Sequence, residues 1–218
     1  MENEREQIEE LRRWWKENGR TAVIGVILGL GAVAGWNGWQ RYQQGQQEMA
    51  SVRYEQLLAE VKDGNHAQAV VHAKSLIEDF PRSGYAPLAA LLAARGALAD
   101  GNAEEARKEL RWAIAHGKDL AVRDLARLRL GRLLIQLQDN ASALALANKI
   151  ETPSFRGLGA ELKGDALVAS GESEKARAAY ADALKSTDLP AASRARIRMK
   201  LDDIGVRKLW KGPQASTG

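Results

Sequence analysis

An uncharged run of nineteen residues, from Thr21 to Trp39, constrains this chain more than any other feature. A helix of that length reaches roughly 28 Å, close to the thickness of the hydrocarbon core of a bilayer. The run contains no Asp, Glu, Lys or Arg and consists mainly of Val, Ile, Leu, Ala and Gly. It therefore predicts one transmembrane helix near the N-terminus, at residues 21–39.

Tryptophans flank this run on both sides. Trp14 and Trp15 precede it, and Trp36 and Trp39 lie near its end, so that four of the six tryptophans in the chain surround it. Amphipathic indole rings are typical of the membrane–water interface, where they fix the depth of a spanning helix. We predict that these four residues are membrane interface anchors.

The basic residues near the run predict its orientation. Only Arg41 and Arg53 follow it closely, whereas five basic residues precede it: Arg5, Arg12, Arg13, Lys16 and Arg20. Because basic residues concentrate in the cytoplasmic segments of membrane proteins, the N-terminus is predicted to be cytoplasmic. Residues 40–218 are then predicted to lie on the far side of the membrane.

A cleaved signal peptide is the alternative interpretation, because Ala32-Val33-Ala34 has the small-x-small form of a cleavage site. Two observations favour a retained anchor. Residues 1–20 carry six acidic residues against five basic ones, so the segment is not net positive. The segment is also predicted to be an amphipathic helix in the membrane interface, since one helical face would carry Ile8, Leu11, Trp14 and Trp15.

Glycines recur inside the predicted span. Gly25 and Gly29 form one small-xxx-small step, and Gly31 and Gly35 form another. Such steps let two membrane helices approach closely, although glycine is also frequent in membrane helices in general. Two steps within one span favour helix packing, and we predict that these four glycines contact a partner helix.

A short polar signature recurs after the span and predicts a helical repeat. Aligned on positions 64, 101, 138 and 171, at intervals of 37, 37 and 33, the copies are Asp63-Gly64-Asn65, Asp100-Gly101-Asn102, Gln138-Asp139-Asn140 and Ser170-Gly171-Glu172. A period near 34, with a helix on each side of a short turn, is typical of tetratricopeptide-like repeats. Gly131 and Gly164 are expected where paired helices approach closely.

The whole pattern predicts an all-α fold with a single N-terminal transmembrane helix and a tetratricopeptide-like solenoid. A polar connector is expected at 40–47, the repeat domain at 48–211 and a disordered tail at 212–218. Helices are expected near 46–62, 66–79, 84–99, 103–116, 120–137, 141–150, 155–169, 173–186 and 191–204. In stacked helix pairs the first helices line a groove, which here is predicted to carry the activity.

Residues that carry out chemistry are scarce. There is no cysteine, and the three histidines, His66, His72 and His116, lack metal-ligand spacing. No nucleophile motif, phosphate-binding glycine loop or paired-carboxylate motif is present. We therefore expect no catalytic residue, cofactor or metal.

The net charge is +4 and the pI about 9.4, but basic and acidic residues are mostly interspersed. Because no aromatic residues alternate with the basic groups, nucleic acid is not an expected partner. Arg123, Arg127 and Arg132 could share one side of a predicted helix. Such a side is either a solvated helix face or a partner surface, and Arg123 and Arg127 are the candidate partner surface.

The membrane-proximal sequence resembles the YfgM family of bacterial inner-membrane proteins. The resemblance is carried by the string EQIEELRRWWKENG at 6–19, by GWNGWQ at 35–40, and by Phe80-Pro81, Tyr85-Ala86 and Leu88-Ala89. It implies an ancillary subunit of the Sec translocon, SecYEG, with a periplasmic tetratricopeptide domain. It also implies PpiD, a membrane-anchored periplasmic folding factor, and emerging secreted chains as partners.

The leading functional hypothesis is therefore a non-enzymatic, chaperone-like accessory subunit of the protein-export channel. The alternative is an envelope assembly adaptor that scaffolds other membrane or periplasmic enzymes. A secreted hydrolytic enzyme with a helical domain is disfavoured by the lack of a catalytic constellation.

Overall fold

The structure, a computed structural model, describes the backbone of residues 2–209 and most of their side chains, those of 2–6, 8, 10, 11, 22 and 205–209 excepted. Within this range it contains nine α-helices, a 3₁₀ turn at Pro153–Phe155 and no strand, which confirms the all-α prediction. The helices are α1 Glu2–Lys62, α2 His66–Asp79, α3 Tyr85–Ala99, α4 Ala103–His116, α5 Leu120–Gln136, α6 Asn140–Ala147, α7 Arg156–Ala169, α8 Ser173–Lys185 and α9 Ala191–Leu209. The predicted tail at 212–218 lies outside the described residues.

The chain divides into two compact units, Met1–Met49 and Ala50–Gly218. Helix α1 continues through the expected connector at 40–47, which is therefore helical. The reason is local: the connector contains no proline, and its Gln and Arg residues favour helix. The prediction of a helix near 46–62 was right about its end, Lys62, and wrong about its start.

The four aligned signature positions share one unusual backbone conformation. Gly64, Gly101, Gln138 and Gly171 have φ between 63° and 79°, in the left-handed region. At each position the next residue donates its N–H to a carbonyl five residues back, as Asn102 does to Ala97 at 2.7 Å. The signature residue itself donates to a carbonyl three residues back, which completes a Schellman motif. The repeated signature is thus a repeated helix C-cap.

The residue after each signature position begins the second helix of the pair. Asn102 accepts a hydrogen bond from the N–H of Glu105 at 3.1 Å, and Asp139 accepts one from the N–H of Ser142 at 3.1 Å. Both side chains are N-caps, which satisfy an N–H group that the helix leaves unpaired. In the third copy, where glycine is absent, Asp139 therefore takes the position of Asn102.

The helix pairs pack through small residues. The core between α3, α4 and α5 includes Ala90, Ala94, Ala106 and Ala113, all almost fully buried. Gly131 contacts Leu162 so closely that an added Cβ would lie 2.5 Å from a leucine methyl. Gly164 lies in the same way against the Tyr180 ring. The prediction that a glycine permits close approach of paired helices is confirmed for Gly164, whereas Gly131 on α5 faces α7, the first helix of the next pair.

Helix boundaries follow these local rules closely. Helices α2 and α4 begin and end at the predicted residues. Apart from α1, the largest departures are α9, which ends at Leu209 instead of 204, and α6, which ends at Ala147 instead of 150. The next five residues form a turn that is held by Asp124, a residue far away in sequence.

Candidate functional site

Helix α1 carries a stretch that is long and apolar enough to cross a membrane, beginning at Val23. Its aliphatic side chains are not covered by the fold: Ile27, Leu28 and Leu30 are 63%, 67% and 66% exposed. Contiguous aliphatic exposure of this kind is unfavourable in water and favourable in lipid. By its length and composition the stretch fits the predicted transmembrane helix.

The four predicted interface tryptophans are all about half exposed. Trp14 and Trp15 lie with ring centroids 6.3 Å apart, and Trp36 and Trp39 lie 5.7 Å apart. From Trp15 to Trp36 the helix rises about 31 Å, a value close to the thickness of a hydrocarbon core. The spacing therefore suits an aromatic group at each membrane surface.

The four predicted packing glycines open onto unoccupied space, because a Cβ added to any of them meets nothing within 4 Å. At about 100° per residue, Gly25 and Gly29 lie on one face of α1, whereas Gly31 and Gly35 lie on a face roughly 120° away. Gly38 extends the second face. The span therefore carries two small-residue stripes on different faces, and contact with a partner helix stays a prediction.

Arg127 holds a buried carboxylate. It is 15% exposed, and its Nη1 donates to Asp124 Oδ1 at 2.6 Å and to the carbonyl of Lys149 at 2.9 Å. Asp124 is fully buried and also accepts from Thr152 N–H at 2.7 Å, Thr152 Oγ1 at 2.6 Å and Glu151 N–H at 3.0 Å. Burial raises the pKa of Asp124, but these hydrogen bonds together bring it below its usual value. The network fixes the turn between α6 and α7.

Arg123 packs its aliphatic stem on Gly117, and its Nε has no hydrogen-bond partner among the described residues. Reversing the charge of Arg127 is expected to disturb the fold, because Arg127 is paired with buried Asp124. Arg127→Glu would place a second carboxylate against buried Asp124. A partner contact through these two arginines stays a prediction.

A groove runs along the first helices of the pairs. Between α3 and α5 it has a volume of about 410 Å³, with an apolar floor that includes Leu98, Leu110 and Leu133. Three arginines surround this floor: Arg95 on α3, and Arg129 and Arg132 on α5. The half-buried Arg129 donates to the carbonyl of Leu91 at 3.2 Å. Burial lowers the pKa of Arg129, and the charges of Arg95 and Arg132 lower it further.

Toward α7 and α9 the groove continues as a volume of about 760 Å³, and Arg132 and Gln136 line both parts. This confirms the prediction that α3, α5 and α7, the first helices of their pairs, line a groove. Helix α9 lines it too. The sequence pattern did not indicate Arg95 or Arg129, and it grouped Arg132 with Arg123 and Arg127.

Buried Glu161 organises the α7–α9 end of the groove. Arg196 donates to both of its oxygens at 2.7 Å, and Lys200 donates to it at 2.7 Å. Lys200 also donates to Asp165 at 2.8 Å, which accepts from the Tyr180 hydroxyl at 2.6 Å. Burial raises the pKa of Glu161, but the hydrogen bonds from Arg196 and Lys200 bring it below its usual value. Burial raises the pKa of the Tyr180 hydroxyl, and the hydrogen bond to Asp165 raises it further. These carboxylates are neutralised within the fold.

The histidines are dispersed in the structure. His116 stacks on Trp112 with ring centroids 4.2 Å apart, and its Nδ1 lies 3.0 Å from the Trp112 carbonyl oxygen. His72 is paired with Gln68 at 3.2 Å. In the described part of the chain, no three His, Asp or Glu side chains are grouped so as to hold a metal ion.

Comparison with known proteins gives concordant matches over nearly the whole chain. A family model described as a tetratricopeptide repeat-like domain matches residues 12–206. The chain is 30% identical over 205 residues to the ancillary SecYEG translocon subunit of Escherichia coli (strain K12), covering 94% of this chain and 98% of that protein. It is 31% identical over 183 residues to the protein of the same name in Haemophilus influenzae, covering 84% and 89%.

A further relative of that name, from Neisseria gonorrhoeae, is 28% identical over 204 residues and covers 92% of this chain and 97% of its own. Among solved structures, one from a functional characterisation of Pseudomonas aeruginosa pilF superposes with a TM-score of 0.60. It covers 76% of this chain and 71% of that one at 16% identity, and therefore supports the fold alone.

Proposed function

This chain belongs to the tetratricopeptide repeat-like family of ancillary SecYEG translocon subunits, as its resemblance to YfgM predicted, and we propose that it is a non-enzymatic accessory subunit of the Sec protein-export channel. The observation that carries the proposal is the extent of the similarity. The match to the Escherichia coli relative covers 98% of that protein, so membrane helix and repeat domain are matched together.

The repeat domain acts by binding in this proposal. Its groove presents exposed charged and apolar side chains from α3, α5, α7 and α9, and stacked helical repeats bind partners through such surfaces. The partners proposed are SecYEG itself, the folding factor PpiD and secreted chains as they emerge. Catalysis has no part in the proposal, because the best-positioned carboxylates, Glu161 and Asp165, are held by Arg196 and Lys200.

The proposed location is the bacterial inner membrane, with residues 1–20 in the cytoplasm, 21–39 in the bilayer and the domain in the periplasm. The basic residues that precede the span support this orientation. Because the native chain has no cysteine, single cysteines can report the orientation without background. A cysteine at Ser186 should react with a membrane-impermeant maleimide in spheroplasts, whereas one at Asn18 should react only after the membrane is opened. The opposite labelling would contradict the proposed orientation, and a mature N-terminus near Gly35 would show a cleaved signal peptide.

The span is proposed to hold the protein at the channel. Gly25 and Gly29 on one stripe, and Gly31 and Gly35 on the other, permit close helix contact. Trp14, Trp15, Trp36 and Trp39 would set the depth of the helix in the bilayer.

Photo-crosslinking in native membranes tests where partners bind. A photoreactive residue at Gly35 in the span and another at Gln136 in the groove should give adducts with SecYEG subunits, and with PpiD or secreted chains, respectively. The same residue at exposed Arg177 on α8, outside the groove, is the control. If Gln136 gives adducts only with a fixed set of envelope enzymes, the alternative function as an assembly adaptor is correct instead.

A further inference from the structure

Three groove arginines lack the acidic partners that other basic residues of the domain have. Arg127, Arg196 and Lys200 each lie within 3 Å of a carboxylate oxygen. In the described part of the chain, no ion pair involves Arg95, Arg129 or Arg132. The three nevertheless line one end of a single groove.

Like charges held close together repel one another, so the grouping of these three charges is unfavourable for the fold by itself. Burial lowers the pKa of Arg129, and this repulsion lowers it further. An anion bound between the three guanidinium groups would replace the repulsion with attraction and would accept charge-assisted hydrogen bonds.

The floor of the groove adds a second requirement. Leu98, which is 42% exposed, lies below the arginines beside Ala94, Leu110 and Leu133, whose side chains are already buried. A small inorganic anion would leave Leu98 exposed to water, whereas an apolar side chain would bury it. The ligand that satisfies both requirements carries carboxylates and apolar side chains side by side.

We propose that the α3–α5 end of the groove binds a segment of a partner protein in which acidic residues neighbour apolar ones. The inference rests on the proposed function, since it specifies the chemistry that the groove of this accessory subunit recognises. Across both parts of the groove, five basic side chains face two carboxylates, Glu161 and Asp165, which leaves three positive charges. All three belong to the α3–α5 end, because Arg196 and Lys200 neutralise the other end.

A membrane surface fits this site less well than a peptide. Anionic lipid attracts basic groups that protrude toward a flat surface. Arg129 is instead half-buried between helices, with its Nη1 bonded to the Leu91 carbonyl. An extended or helical peptide can enter such a recess, and peptides bind helical grooves in this manner.

The test uses the full chain in neutral detergent and a fluorescent synthetic peptide that alternates glutamate with leucine. Arg95→Glu with Arg132→Glu should weaken peptide binding more than about tenfold, and the wild-type affinity should fall as salt is raised. Both side chains are exposed, so the helical content should be unchanged. Should the double variant unfold, Arg95→Gln with Arg132→Gln replaces it, with a smaller loss expected.

The matched control is Arg177→Glu with Arg198→Glu, two exposed arginines outside the groove that change the net charge equally. It should retain wild-type binding of the peptide. A second peptide with glutamine in place of every glutamate should bind at least about tenfold more weakly than the acidic one. Equal loss in the control variant, or equal binding of the glutamine peptide, would overturn the inference. Displacement of the acidic peptide by short-chain phosphatidylglycerol at equal concentration would also overturn it, by assigning the site to lipid.

Recovery of SecYEG with the wild-type chain, measured in parallel, separates this inference from the proposed function. A chain that recovers SecYEG but does not bind the acidic peptide refutes the inference alone. A chain that fails to recover SecYEG refutes the proposed function, whatever the peptide does.

Discussion

Gly164 on α7 provides the sharpest test of how the repeat pairs are packed. Its Cα faces the ring of buried Tyr180 on α8, and a Cβ at this position would lie 2.5 Å from Cδ1 and 2.9 Å from Cζ. Real Cβ atoms do not approach ring carbons so closely, so even Gly164→Ala must displace the ring. The displacement also disturbs the 2.6 Å hydrogen bond from the Tyr180 hydroxyl to Asp165.

The expected loss of stability follows from three opposing effects. Overpacking of a buried site is unfavourable by about 1–3 kcal/mol, and weakening a hydrogen bond to a charged group removes about 1.5 kcal/mol more. In the opposite direction, alanine in place of glycine inside a helix stabilises it by roughly 1 kcal/mol. The net destabilisation is about 1.5–3.5 kcal/mol, which corresponds to a fall of roughly 3–14 °C in the melting temperature of a domain of this size.

Thermal unfolding of the full chain in detergent, followed by circular dichroism, measures the effect. The matched control is Gly84→Ala, because Gly84 has helical φ and ψ and an added Cβ meets nothing within 4 Å. That substitution should leave the melting temperature unchanged or raise it slightly. In a double-mutant cycle, Gly164→Ala should be less destabilising in the Tyr180→Leu background than in the wild type, so the effects of the two substitutions on stability should not be additive. A melting temperature unchanged by Gly164→Ala, or strict additivity with Tyr180→Leu, would refute the proposed packing.

Four further predictions follow from the described contacts. Gln138→Gly should raise the free energy of unfolding by roughly 0.5–1 kcal/mol in chemical denaturation, because Gln138 occupies a left-handed cap position that glycine adopts without strain. Asp124→Ala should destabilise the domain by about 3 kcal/mol, and amide exchange should quicken at residues 148–152, where its partners lie. Because the folded pKa of Glu161 lies below its usual value of 4.5, its stabilisation is fully present only above that value and is lost as the pH falls through the folded pKa. Glu161→Gln should therefore flatten the acid limb of the melting-temperature profile. Gly31→Leu with Gly35→Leu should lower the recovery of SecYEG while membrane insertion persists, and unchanged recovery would exclude that stripe as a contact.

Those elements that local chemistry determines could be predicted from the sequence. In the copies that contain Gly64, Gly101 and Gly171, the glycine predicts a residue in the left-handed conformation, and the polar residue that follows predicts the start of the next helix. These signals placed the turns and most helix ends correctly. The membrane helix was equally evident, because hydrophobic length is itself a local property.

The faces of α5 could not be predicted in the same way. Arginines occur at 123, 127, 129 and 132, and two residues along a helix turn the side chain by about 200°. Apolar residues lie almost all round this helix, with Ala126, Leu128, Leu130 and Leu133 all buried, so no single apolar stripe indicates which arginines face the groove. Packing against α3, α4 and α7 decides it, and it places Arg129 and Arg132 in the groove.

Buried charges were missed for a related reason. Asp124 is stabilised by Glu151 and Thr152, which lie 27 and 28 residues away, and Glu161 by Arg196, 35 residues away. Side chains so distant in sequence meet only once the repeats are stacked. The sequence does hold one indication of this network: Glu161 and Asp165 are four residues apart, and so are Arg196 and Lys200.

Association of this chain with the Sec channel can be tested by measuring how much SecYEG is recovered together with it. The tagged chain, expressed at its native level, is purified from membranes in mild detergent, and SecYEG subunits are quantified by mass spectrometry. The reference is an unrelated single-span protein carrying the same tag. We expect SecYEG to be enriched many-fold over the reference, and we expect the Gly31→Leu with Gly35→Leu variant to reduce this enrichment. Recovery of SecYEG no greater than with the reference protein would contradict the proposed association.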